Sequence, residues 1–406
     1  MTASTHQSPS VTASTVEEIS EGLGEPDWLT EIRLEAFEAH DELPQPEVIH
    51  TPGRRWTNLD DVDPAALADP DQSASAKDRI EADGAEVLAW AEAVDQHPEV
   101  IEEHFGSVVD PQRDSFTALS TALFSAGTLV YVPSGQAAED VTIRTSMGAR
   151  SLFNYTLVVA EESASVTVLE RQSSAATDAT DRYYSGVVEA VAGENASIEY
   201  GTLQNLDSDT TALGVKAGEA DRHGTIDWFE GNLGGGLVKA SVETTLAGDG
   251  SETRIVGAFF GHDDQHVDVA SRVDHEAEHT TADLVTRGVL DDRARSVYEG
   301  VQNVGREAWD TSSFQRENTL MLSDTSEADA SPKLIINNHD TEASHSATVG
   351  QVDSEDLFYM TSRSIPDQAA RDMLVEGFFE PVLDEVTLDE LREDIRALIA
   401  DRLETR

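Results

Sequence analysis

The sequence predicts a mainly β chain, a β-solenoid core held between two helical regions. Three observations carry this. From Gly127 to about Gly350 the chain is a succession of short Val/Ile/Thr-rich runs broken by Gly, Asp, Asn and Ser. Within it a strand–turn–strand unit recurs, as in "LVVAEESASVTVLE", "EAVAGENASIEYGT", "TTLAGDGSETRIVG" and "GVLDDRARSVYEG", at a drifting period of about 30 residues. On both sides of it the apolar residues change to helical spacing. A sandwich would also be built of such units. A solenoid suits them better, because the repeats tolerate insertions and no long apolar hairpin with a tight Asn-Gly turn occurs.

Taken in order, residues 1–15 ("MTASTHQSPSVTAST") are Ser/Thr-rich without an apolar run and are expected to be a flexible tail, not a signal peptide. Residues 16–126 form an N-terminal helical region. Pro26 suits a first turn, and Trp28, Leu29, Ile32 and Ala36 follow at helical spacing until "LPQP" stops the helix. "DQSASAKD" is expected to be a linker, and "AEVLAWAEAV" and "SFTALSTALFS" two further helices. The core spans 127–352 and opens with "GTLVYVPSG", a strand and a turn. Residues 353–406 return to helix. "SIPDQAARDMLVEGFF" offers Ser364 as cap, and "TLDELREDIRALIADRLE" offers a capping box of Thr387 and Glu390. The last helix carries an apolar stripe of Leu388, Leu391, Ile395, Leu398 and Leu403, expected on its own to pack against its own domain.

The net charge is −52, and lysine occurs at only four positions, Lys77, Lys216, Lys239 and Lys333. At low ionic strength this chain would repel itself; in molar salt the Debye length falls to roughly 3 Å and the repulsion is screened. The balance fits a cytoplasmic protein of a salt-accumulating halophile and argues against a nucleic-acid surface. With no cysteine there is no disulfide, no thiolate zinc site, no cysteine nucleophile and no thiolate for an iron–sulfur cluster. No run of about 18 apolar residues is present to span a membrane.

Candidate chemistry is sparse. "GHDDQHVDVASRVDHEAEHTTAD" holds His262, His266, His275 and His279 in two H-x-x-x-H pairs. The valine alternation there is strand-like, and strand residues four apart stand about 13 Å apart. A metal would then need histidines from stacked rungs. "GNLGGG" lacks the ending of a phosphate loop and reads as a turn. A carbohydrate-active enzyme on a solenoid would need specific paired carboxylates, and among so many acids no pair stands out. In "KLIINNHDTEASHSATVGQ" strict alternation places Ala343, His345, Ala347 and Val349 on one apolar face, with an ionisable ring among them.

Several stretches resemble the SufB/SufD family of iron–sulfur cluster assembly proteins: "SPKLIINNHD", "ASHSATVGQ", "LFYMTSRSI", "ARDMLVEGF", and upstream "HVDVASRVDHEAEHTTADLVTRGVLDDRARSVYEG" and "RENTLMLSD". The similarity spans roughly 127 to 379. It implies a right-handed parallel β-helix between helical ends, and a scaffold subunit with no enzymatic activity of its own. The missing cysteine points to the SufD-like branch, because the SufB-like partner is the one expected to supply a thiol. The implied assembly is one SufB, one SufD and two copies of the ATPase SufC. SufC would bind ATP and dock on the C-terminal helices from about Asp353, which moves that region from self-packing toward partner docking. A homodimer is an alternative assembly when SufB is missing, which the sequence leaves open. The "SHSATVG" match implies that His345 lies at the SufB–SufD interface and meets a nascent iron–sulfur cluster there, with no cofactor held tightly by this chain alone. Some relatives carry a cysteine two positions earlier, where this chain has Ala343. A rival reading makes the chain a purely structural subunit with His345 a satisfied core histidine.

Overall fold

A computed structural model describes residues 11–69, 72, 75–80 and 82–404. The N-terminal region contains helices α1 (Ala13–Leu23) and α2 (Asp27–Ala39), a hairpin of β1 (His50–Thr51) and β2 (Arg54–Arg55), α3 (Pro64–Leu67), strands β3 (Ala76–Ile80) and β4 (Glu86–Ala89), then α4 (Trp90–Gln96), α5 (Pro98–His104) and α6 (Ser115–Leu123). The core follows as β5 (Ala126–Val132), β6 (Ala137–Met147), β7 (Ser151–Ala160), β8 (Ser165–Ser174), β9 (Arg182–Ala192), β10 (Ser197–Asn205), β11 (Thr210–Ala220) and β12 (Thr225–Asn232). It continues as β13 (Leu237–Leu246), β14 (Glu252–Gly261), β15 (His266–His275), β16 (Thr281–Leu290), β17 (Arg295–Val304), β18 (Thr311–Met321), β19 (Glu327–Ile336) and β20 (Thr341–Gln351). The chain ends in α7 (Ser354–Thr361), α8 (Asp367–Leu383) and α9 (Asp389–Glu404).

The core is the parallel β-solenoid that the repeats predict. Successive strands alternate between two nine-stranded sheets, ordered β20-β18-β16-β14-β12-β10-β8-β6-β3 and β19-β17-β15-β13-β11-β9-β7-β5-β4. Each rung pairs in parallel with the next, Ser197 with Thr225 and Thr225 with Glu252, which is the drifting period seen in the sequence. The turn residues have a structural reason. Ser163, Asn195, His223, Gly250 and His279 all adopt left-handed φ between 57° and 72°. The N–H of each donates to a carbonyl one rung on, to Glu194, Arg222, Asp249, Glu278 and Trp309 respectively, at 2.8–3.0 Å. Short polar residues tolerate that conformation and β-branched ones do not, so the corners are polar and the runs between them apolar.

The two ends of the solenoid differ. At the first rungs the short strands β3 and β4 pair antiparallel with β6 and β5 and are the outermost strands of the two sheets. The stretch expected to be a linker therefore enters a strand at Ala76, and "AEVLAWAEAV" is half strand, half helix. Lys77 and Arg79 explain why. Lys77 Nζ is buried against Asn154 Oδ1 at 2.6 Å and the Ala126 carbonyl at 3.0 Å, and burial lowers its pKa to about 7. Arg79 donates to the Gly127 carbonyl at 2.7 Å and to Thr128 Oγ1 at 2.9 Å. Two cations thus cap carbonyls, a role that polar sequence does not announce. α1 begins at Ala13, inside the stretch 1–15 expected to be a tail; residues 1–10 lie outside the described residues.

The helical regions clamp the outer faces. Fully buried Arg33 of α2 bridges Glu25 at 2.6 Å and the Phe124 carbonyl after α6 at 2.9 Å. Buried Glu189 on β9 accepts from the amides of Gly106, Val108 and Val109 at 2.8–3.0 Å and from the Tyr155 hydroxyl, fixing the 105–109 loop to the sheet. On the opposite sheet α8 and α9 cover Leu203, Phe229, Val256 and Phe260 with Val375, Phe379, Leu391, Ile395 and Ile399. Gly201 and Gly231 allow this approach: a Cβ there would come 2.8 Å from Leu391 and 3.1 Å from Ile395. Three helix details differ from expectation. Pro366, not Ser364, precedes α8, and Ser364 has a left-handed φ of 67°. Thr387 donates to Glu199 Oε1 at 3.2 Å instead of closing a capping box. The buried stripe of α9 steps by four to Ile399, leaving Leu398 only partly buried.

Candidate functional site at the open end of the solenoid

Among the described residues the last rung has no cap. β19 and β20 are the outermost strands of their sheets, ten and eleven residues long, and nothing among the described residues pairs with their far edges. Register shows which side chains face inward. Gln302 and Val304 of β17 align with Leu334 and Ile336 of β19; Gln315, Glu317 and Thr319 of β18 align with His345, Ala347 and Val349 of β20. The first of each pair is buried between the sheets. The second continues the same inward column but is uncovered, with Ile336 42% and Val349 40% exposed. The alternation read from the sequence is therefore real, yet its apolar side faces an open end. His345 lies there, exposed, and among the described residues no group hydrogen-bonds its ring.

Beneath His345 the penultimate rung is polar. Gln315 Nε2 donates to the Tyr298 hydroxyl at 3.3 Å, and Gln315 Oε1 has no partner. Gly300 makes room: a Cβ there would fall 1.8 Å from Gln315 Nε2. Glu317 is buried. It accepts from Thr319 Oγ1 through one oxygen, and Oε2 is unpaired. Burial pushes this carboxyl up to about 7, against hydrogen bonds from Thr319 and the Thr348 amide. Sequence reasoning missed these groups. The available signal was "SSFQREN", where Ser313, Gln315 and Glu317 put polar residues on the inward positions of a strand.

The four clustered histidines disperse. His275 is a core residue bonded to Thr280 Oγ1 at 2.8 Å and Ser313 Oγ at 3.0 Å, and burial lowers its pKa to about 4. His266 meets Thr57 Oγ1 at 2.9 Å, tying the N-terminal segment across the sheet. His279 is a left-handed corner residue whose pKa is raised by its 2.8 Å hydrogen bond to Asp310. His262 contacts Asp263 and Arg402. Stacking of rungs therefore does not assemble them, and among the described residues no three or more His, Cys, Asp or Glu side chains form a metal-binding group. "GNLGGG" finishes β12 and turns the corner to β13, as a turn should. No helix among the described residues is long and apolar enough to cross a membrane.

The fold is a two-sheet parallel β-solenoid with helical regions at both ends, in which β19 and β20 are the outermost strands after the last rung. The family descriptions agree: "SUF system FeS cluster assembly, SufBD core domain" matches residues 142–378, and "SufBD protein N-terminal region" matches residues 70–143. The chain belongs to the SufBD family of iron–sulfur cluster assembly proteins. It is 28% identical to the iron–sulfur cluster assembly protein SufD of Bacillus subtilis, over 96% of this chain and 97% of that protein. Identity to SufB of the same organism is 26%, over 93% and 90%, and a SufBD family protein of Staphylococcus haemolyticus is likewise 26% identical.

Proposed function

We propose that this chain is a cytoplasmic, SufD-like scaffold subunit of a SufBCD assembly. It pairs through the open solenoid end with a cysteine-bearing SufB-like paralogue, and the ATPase SufC docks on its C-terminal helices. The observation that carries this reading is the asymmetry of the ends: the first rungs finish in two short antiparallel strands of five and four residues, while β19 and β20 leave edges of ten and eleven residues and inward apolar residues uncovered. Unprotected edges of that length are association surfaces. α7 supports the SufC surface. It buries none of its residues, and Phe358 and Tyr359 are 73% and 58% exposed.

At the shared end His345 offers an imidazole to the nascent cluster, which is cargo and not a resident cofactor. A chain without cysteine needs the partner's thiolates to hold it. ATP binding by SufC would act through the C-terminal helices by favouring one of two arrangements of that interface. Without the paralogue the same end would meet a second copy of this chain. The rival of a satisfied core histidine describes His275, whose two ring nitrogens are both bonded, better than His345. Purification from the native host in molar salt, with the bound subunits identified, tests the reading. An ATPase and a cysteine-bearing paralogue are expected; a lone monomer would contradict it.

A further inference from the structure

Midway along the solenoid the space between the sheets holds an ion pair. Lys216 Nζ of β11 donates to Glu230 Oε2 of β12 at 2.8 Å, with the two side chains 9% and 5% exposed. The other carboxylate oxygen, Glu230 Oε1, has no hydrogen-bond partner among the described residues. Nor has the hydroxyl of Thr202, the buried register neighbour of Glu230 on β10. Buried polar atoms are as a rule satisfied by protein or by ordered water, and a charged group is the costliest to leave short. Thr202, Lys216, Gly214 and Asn232 line a cavity of about 30 Å³. Glu230, Asn232, Gly257, Ser271 and Thr286 line a second of about 20 Å³. The two share Asn232 and Ala240. Residues without side chains keep the hollow. Gly257 follows Glu230 in register on β14, and Gly214 stands two positions before Lys216 on β11. The backbone does not demand glycine at 214: within 4 Å a Cβ there would meet only the Gly186 carbonyl oxygen, at 3.7 Å. Alanine is the better strand residue, so glycine leaves open a space that a methyl group could fill.

We propose that these two cavities are an internal hydration site, whose ordered waters complete the hydrogen bonding of Glu230 Oε1 and Thr202 Oγ1 around the Lys216–Glu230 pair. A bound water needs about 10–15 Å³ of cavity and roughly two to four polar partners. The volumes admit about two waters beside Thr202 and Lys216 and about one beside Glu230, and no larger ligand. Partners are at hand. Lys216 Nζ spends one of its hydrogens on Glu230, and Asn232, Ser271 and Thr286 add donors and acceptors along the walls. Hydrogen bonds from water to the free carboxylate oxygen favour the ionised form, so the pair stays charged inside the solenoid. The site does not rest on the assembly reading, because no residue of β19 or β20 lines either cavity.

The test joins a high-resolution crystal structure of the full chain with thermal melts of Gly214→Ala. Electron density for water is expected within hydrogen-bond distance of Glu230 Oε1 and Thr202 Oγ1. Crystals soaked in RbCl separate water from a bound cation, since rubidium scatters anomalously; an anomalous peak in either cavity would replace the hydration site with an ion site and overturn the proposal. The melt has opposite signs under the two alternatives. In a dry hollow the added methyl fills space and restricts the unfolded chain, raising the melting temperature by about 1–2 °C. In a hydrated one it displaces water and strands buried polar atoms, so the melting temperature falls. Gly22→Ala in α1, where a Cβ would meet nothing within 4 Å, calibrates the gain from alanine alone. A Gly214→Ala protein that melts below the parent is the expected result. One that melts above it, or cavities without density in the parent crystal, would overturn the proposal.

Discussion

Ile336→Asp and Val349→Asp, made singly, should separate the chain from the SufB-like partner proposed for it. A fully buried Ile or Val side chain is worth about 1.5–3 kcal/mol. Ile336 is 42% exposed and Val349 40%, so roughly 1 kcal/mol at each position is still to be gained on docking. A carboxylate placed there forfeits that gain and must also be desolvated, at several kcal/mol per ion. Together these exceed about 3 kcal/mol, a loss of more than a hundredfold in affinity. The isolated chain should lose only the buried part of each side chain, about 2 kcal/mol, which a thermal melt will show. Ile80→Asp is the matched control. Ile80 is equally exposed, at 42%, but lies on the short strand β3 at the other end of the solenoid. Sedimentation of this chain with its co-expressed SufB-like partner in molar KCl is the assay. Pairing of the two open-end variants at parental affinity, or loss of pairing in Ile80→Asp, would refute the argument from the ends.

Two further outcomes follow from the same geometry. Phe358→Ser with Tyr359→Ser should weaken ATPase binding while changing stability by only about 0.5 kcal/mol, because α7 buries nothing; unaltered co-purification would move the docking surface elsewhere. Deleting 353–406 is a poorer test, since it would uncover Phe229 and Phe260. The second outcome is a pH dependence with opposing parts. His275, at about 4 when folded against 6.5, refuses a proton that the unfolded chain accepts, so stability present above 6.5 is lost as pH falls toward 4. Glu317, at about 7 against 4.5, does the reverse: its contribution is present below 4.5 and is lost as pH rises toward 7. Each is worth about 3 kcal/mol. Between pH 7 and 5, Glu317→Gln should therefore lose stability relative to parent and His275→Gln should gain it. Parallel denaturant curves for all three proteins would remove both assignments.

The solenoid was legible because its period is physical: left-handed corners need Asn, Asp, His, Ser or Gly at intervals, and the strands between them need alternation. The direction of His345 was legible for the same reason. Its exposure was not, since alternation reports which side faces inward and not whether anything lies above. Lys77 and Arg79 hide in a polar stretch because their partners are carbonyls contributed some 50 residues later. Glu317 is invisible among 79 acids until its burial is known. Thr387 and Ser364 look like caps and are not, because tertiary partners and backbone conformation claimed them first.

His345 is the residue on which the proposed assembly role turns. Cluster reconstitution should be measured in a complex of this chain, its cysteine-bearing partner and the ATPase, with parent and His345→Ala compared at equal complex yield. Intact assembly with a large loss of cluster formation is the predicted result. Parental cluster yield from His345→Ala would contradict it.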